Sequence, residues 1–79
     1  MRDLKQGDLL QLKGTGPTRV VWCDSPGGQI LDSAFFPAGT AALFVDFSRR
    51  SASPRRGDLL FVLVGGRGGL VWSDDVEAL

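Results

Sequence analysis

The sequence contains no histidine, no tyrosine and no asparagine, and only one cysteine and one methionine in 79 residues. Each absence closes a route. Without histidine the usual proton carrier near neutral pH is missing, so Cys23 and the six serines have no imidazole to activate them. A lone cysteine makes no intrachain disulfide, and a zinc site built from cysteine and histidine lacks its ligands. An excess of charge is lacking too, because nine Lys and Arg balance nine Asp and Glu. Zero balance argues against a dedicated binder of nucleic acid or of an anionic membrane, either of which needs surplus cations on one face. No apolar run approaches the roughly 20 residues of a spanning helix, and Met1 to Gly7 is polar, unlike a secretory leader. The expectation is a cytoplasmic, non-membrane protein with no metal and no cofactor.

What is present is glycine, proline and β-forming residues. Hydrophobic residues make up 43% of the chain, enough for a globular domain and too many for a disordered segment. They fall in short runs: Leu9 to Leu12, Val20 to Trp22, Ala41 to Phe47, Leu59 to Val64 and Leu70 to Trp72. Between them lie Gly-Thr-Gly-Pro (14–17), Ser-Pro-Gly-Gly (25–28), Pro-Ala-Gly-Thr (37–40), the tract 48–57 and Gly-Gly-Arg-Gly-Gly (65–69). Short strands punctuated this densely by turn residues predict an all-β domain over 1–79, a small barrel of five to six antiparallel strands.

Residues 8–13 and 18–24 are expected to form the first strand pair, followed by a short extended segment at 29–32. In the strand at 40–48, alternation puts Ala42, Phe44 and Asp46 on one face and Ala41, Leu43, Val45 and Phe47 on the other. The second set is wholly apolar and is therefore expected to be the buried one. Residues 57–64 and 68–73 make a hairpin whose glycine loop supplies positive φ angles. Leu59 to Val64 is apolar on both faces, which calls for a central strand or a covering partner. The tail at 74–79 predicts a single helical or 3₁₀ turn, with Ser73 or Asp74 as its N-cap. Gly-Asp-Leu-Leu occurs at 7–10 and again at 57–60, read as a good way to leave a turn and enter a strand rather than as a duplication.

Two groups of residues are candidates for function. Arg49, Arg50, Arg55 and Arg56 place four of the nine cations within eight positions, with no acid among them. They sit in a predicted exposed loop at about 48–57, between two strong strands, where they could meet an anion or a nucleic acid. No aromatic residue interleaves them, so a stacking platform for single strands is missing. The second group is Trp22, Phe35 and Phe36. Phenylalanines 35 and 36 are placed between strands, one plugging the barrel and the other pointing out, so that an exposed ring near Trp22 makes an interaction patch. Phe44, Phe47, Phe61 and Trp72 are expected to supply most of the core. Asp74, Asp75 and Glu77 cluster in sequence but lack the spaced oxygens and central glycine of a calcium loop. The glycines at 65–69 match neither phosphate-binding fingerprint, since a strand and not a helix follows them.

The order of these features resembles the small bacterial and phage-type SH3-like barrels. The carrying residues are Val-Val-Trp-Cys-Asp-Ser-Pro-Gly-Gly (20–28), Phe-Pro-Ala-Gly-Thr (36–40), Ala-Leu-Phe-Val-Asp (42–46), Leu-Phe-Val-Leu-Val (60–64), Gly-Arg-Gly-Gly-Leu-Val (66–71) and Asp-Asp-Val-Glu (74–77). The opening Lys-Gln-Gly-Asp-Leu-Leu is similar to the start of many small phage-encoded barrels. Leu70 stands where that family usually has tryptophan, and the tyrosines that line a proline-helix groove are missing. The resemblance therefore implies a fold and no proline-peptide binding. Plasmid-type dihydrofolate reductase is another SH3-like chain of this size, working as an oligomer pore, but the Val-Gln-Ile-Tyr run that marks its site is absent. The functional expectation is a non-enzymatic interaction or assembly module that binds a protein partner or a second copy. The alternative is nucleic-acid binding through the arginine loop.

Overall fold

The computed structural model describes residues 4–14, 16–25, 27–49 and 57–79. It is all-β, with one seven-stranded antiparallel sheet, no α-helix among the described residues and one 3₁₀ turn. The strands are β1 (Leu9–Leu12), β2 (Thr18–Cys23), β3 (Ile30–Phe36), β4 (Ala41–Arg49), β5 (Leu59–Val64), β6 (Arg67–Trp72) and β7 (Val76–Ala78). Their order across the sheet is β3-β2-β6-β5-β4-β1-β7. Among the described residues no helix is long and apolar enough to cross a membrane.

A flat sheet of seven strands would be about 29 Å wide and thin, given about 4.8 Å between neighbours. The observed extents are nearly equal, 27 × 25 × 24 Å, so the sheet curls on itself. The side chains agree. Leu10 and Leu12 of β1 share one buried cluster with Val20 and Trp22 of β2, although three strands separate β1 from β2 in the sheet. Ala42, Phe44, Leu60, Val62, Val64, Val71 and Val76 complete this concave core.

The pairing differs from the sequence expectation. β1 and β2 do not form a pair. β1 lies between β4 and β7, whereas β2 lies between β3 and β6. Adjacency in sequence suggested a hairpin, but the best apolar neighbours for Leu10 come later in the chain: Ala42 on one side and Ala78 on the other. The short segment expected at 29–32 is part of the seven-residue β3, which takes in Phe35 and Phe36. These two phenylalanines lie within a strand, not between strands.

The face assigned to β4 is also reversed, and a bulge explains it. Ala42 and Phe44 are buried, while Ala41 is exposed and Leu43 and Val45 are only half-buried. The ladder shifts between Phe44 and Asp46, so two residues of β4 oppose one of β5 there. The extra residue turns Phe47 to the concave side, where its ring meets Phe44 edge-on at 5.1 Å. Strict alternation cannot see such a step. Trp72 is likewise only half-buried, and the buried tryptophan is Trp22.

The expected β5–β6 hairpin is present with a tighter loop. Val64 pairs directly with Arg67, leaving Gly65 and Gly66 as a two-residue turn with φ of 61° and 82°. Positive φ at both positions gives a primed turn whose twist matches the strands, and glycine meets that demand at least cost. The two Gly-Asp entries also prove alike. Gly7 and Gly57 both have positive φ, and the second leucine after each, Leu10 and Leu60, is fully buried. Beyond that the entries are held differently. Asp8 accepts the Lys5 N–H on its carboxylate at 2.8 Å, whereas the Asp58 N–H donates to the Ser73 hydroxyl at 2.9 Å.

That bond corrects the expected cap. Ser73 is the first residue of the 3₁₀ turn Ser73–Asp75, which has no side-chain cap, and its buried hydroxyl serves β5 instead. The tail then resumes as β7, where Glu77 accepts a 2.6 Å hydrogen bond from Gln11 Nε2 on β1. Asp74, Asp75 and Glu77 are therefore spread along a turn and a strand.

Candidate functional site

The convex face of the sheet carries an unusual amount of apolar surface. Leu9, Leu43 and Leu63 form a cross-strand row over β1, β4 and β5. Beside it, Cys23, Phe61 and Leu70 make a second buried cluster, packed by half-buried Val21, Val45 and Leu59. β5 is thus apolar on both faces for a structural reason, since it is the middle strand of seven. Phe61, on its convex side, is only 7% exposed. The surface around residues 59–64 largely closes on itself.

The open apolar surface lies elsewhere, on the edge strand β3. Ile30 is 66% exposed, Leu31 60% and Phe35 67%. The neighbouring Phe36 turns the other way and meets the Trp22 ring edge-on, with centroids 5.7 Å apart and planes at 84°. One phenylalanine plugs the core and the other points out, as alternation along a strand requires. Trp22 itself is 7% exposed, so it supports the patch from beneath and is not part of the exposed surface. Its ring is covered from the solvent side by the Arg67 guanidinium, 4.6 Å from the ring centroid, a cation–π contact that occupies this cation. Cys23, next in β2, is a buried free thiol whose Sγ donates to the Ser25 carbonyl at 2.8 Å.

The backbone of β3 is as informative as its side chains. The carbonyls of Val21 and Cys23 point toward β6, lying 3.3 and 3.0 Å from where a Cβ on Gly69 and Gly68 would stand. Alternation then directs Val20 and Trp22 to β3, so their partners Ala34 and Asp32 bond inward. Ser33 and Phe35 consequently turn their N–H and C=O groups to the open side. The Ser33 N–H is engaged by the carboxylate of the preceding Asp32 at 2.8 Å. A bulge at Trp22–Cys23, where Cys23 is opposite Ile30, leaves Leu31 as the extra residue.

The sequence candidates therefore separate. Phe35 stands on the exposed edge, and Phe36 and Trp22 lie behind it. Arg49 is the last residue of β4, opposite Leu59. Arg50, Arg55 and Arg56, and with them the expected basic loop, lie outside the described residues. Sequence reading missed Ile30 and Leu31 as surface residues. They lay inside the short extended segment expected at 29–32, and the signal was their continuity with 33–36 in one unbroken, proline-free run.

No protein-family model, no curated protein and no solved structure matches this chain.

Proposed function

We propose that this chain is a small SH3-like barrel acting as a non-enzymatic interaction or assembly module in the cytoplasm, and that β3 is its docking strand. The observation that carries the reading is the exposed row Ile30, Leu31 and Phe35 on a sheet edge whose backbone groups face outward. The seven-residue edge strand carries no proline, lysine or arginine, and Asp32 and the bulge at Leu31 are the features that blunt it. Strand addition is a general recognition mode in which main-chain bonds supply affinity and alternate side chains supply selectivity. The strand order supports the SH3-like reading, with β1 between β4 and β7, a β4-β5-β6 meander and a 3₁₀ turn before the last strand. A buried free thiol at Cys23 suits a reducing compartment.

The test compares immobilised wild-type chain with a Leu31→Lys/Phe35→Lys double variant in pull-downs from a cognate lysate. A polypeptide retained by the first and lost from the second, with thermal unfolding unchanged, is the expected result. Identical retention by both chains would overturn β3 as the docking strand.

A further inference from the structure

The occupant that β3 fits best is another β3. We infer that two copies of this chain associate by antiparallel pairing of their β3 strands about a two-fold axis at Ser33, an inference that rests on the docking role proposed above. Register points to a second copy rather than to an unrelated segment, and charge and area set the strength of the contact.

β3 runs from Ile30 to Phe36, so Ser33 is its midpoint and the run from Asp32 to Ala34 is its own antiparallel complement, with the bulged Leu31 just outside it. With Ser33 on the axis, Leu31 stands opposite the partner's Phe35 and Phe35 opposite the partner's Leu31. Asp32 stands opposite the partner's Ala34, and no like charges face each other. Aliphatic–aromatic cross-strand pairs of this kind are favourable, whereas shifting the axis to Asp32 would oppose two carboxylates. The outward groups of Ser33 then make a reciprocal pair of bonds across the axis, as an isologous contact requires.

The chain carries nine cations and nine anions, so two copies approach without net repulsion.

Ile30, Leu31 and Phe35, each about two-thirds exposed, offer on the order of 350 Å² of apolar side chain per copy. That is roughly half of the ~800 Å² per partner in a standard stable interface. The contact therefore belongs to the weak, reversible class. A self-pairing strand of this strength holds copies together only where they are concentrated, as in an assembly.

Asp32 sets the threshold. Its carboxylate occupies the Ser33 N–H, the donor that the axis needs, at 2.8 Å. Pairing requires the carboxylate to swing away, so Asp32 acts as a latch on the edge.

Sedimentation equilibrium of the full chain from about 5 to about 500 µM reads the proposal directly. The wild type is expected to shift reversibly from monomer to dimer across that range. Asp32→Ala should move the midpoint about tenfold lower, because a free donor replaces an engaged one. Leu31→Lys/Phe35→Lys should remain monomeric throughout, with an unchanged circular dichroism spectrum showing that it folds. Ser33→Cys should form an intermolecular disulfide on mild oxidation, since directly opposed Cα atoms about 5.5 Å apart lie within disulfide reach. A wild type monomeric at the top concentration overturns the inference, and so does a dimer that survives the double lysine variant. If the wild type stays monomeric but still loses a pull-down partner on the lysine substitutions, self-pairing fails while the docking role stands.

Discussion

The two edges of the sheet are built on opposite plans. β7 is three residues long, begins with the fully buried Val76, and ties its exposed Glu77 to Gln11 of the neighbouring strand. β3 is seven residues long, and its exposed positions include isoleucine, leucine and phenylalanine. A short edge with a charged, hydrogen-bonded side chain offers little to another chain, and a long apolar one offers a template. On β7 Val76 goes to the core and Ala78 is exposed, and on β3 three large apolar side chains are left outside. The difference lies in length and in the number of large apolar side chains left exposed, three on β3 against Leu79 alone just past β7.

Substitutions can break this comparison in order of effect. Val76→Asp should be the most damaging, since it puts an unpaired carboxylate into the concave core. A loss of more than about 3 kcal/mol is expected, read as a large drop in the urea midpoint or as failure to fold. On β3 the two phenylalanines should divide sharply. Phe36→Ala removes a ring that packs edge-on against Trp22 and should cost about 2 kcal/mol, below the full range for a wholly buried ring. Phe35→Ala should change stability by no more than about 0.5 kcal/mol, as befits an exposed site. Equal losses for the two would mean that Phe35 is packed. Gln11→Ala should have a similarly small effect, about 0.5 kcal/mol, by removing the exposed bond to Glu77. A change in oligomeric state in that variant would show that β7 is the less protected edge.

Much of the fold could be read from punctuation. Glycine and proline at five intervals marked strand ends well enough to give an all-β domain, the β5–β6 hairpin and the turn near Ser73. What escaped were features that depend on partners distant in sequence. Residues 8–13 and 18–24 looked like a pair because they are neighbours, yet β1 is bonded to β4 and β7, and β2 to β3 and β6. The face of β4 was misread because one extra residue between Phe44 and Asp46 returns Phe47 to the side of Phe44. A bulge leaves no mark in hydropathy. For the site, the opposition of Phe35 and Phe36 was expected for two residues between strands, and it arises instead from alternation within β3. The exposure of Ile30 and Leu31 was not legible, because it follows from β3 having a neighbour on one side only.

The pairing of β1 with β7 also bears on the order in which the protein is made. Gln11 and Glu77 bond across 66 positions, and Val76 fills the core beside Leu12. The β2–β3 hairpin and the β4-β5-β6 meander can form on a growing chain as soon as their own residues emerge. β1, synthesised before either, must wait for almost the last residue of the sheet to gain its outer neighbour. Until then Leu10 and Leu12 lack the strand that covers them on one side, and the nascent β3 is already complete. Vectorial synthesis therefore leaves a window in which a self-complementary edge coexists with an unfinished core, the circumstance in which chains on one message pair prematurely. A carboxylate seated on the central donor of that edge restrains it during the window in which the rest of the sheet cannot.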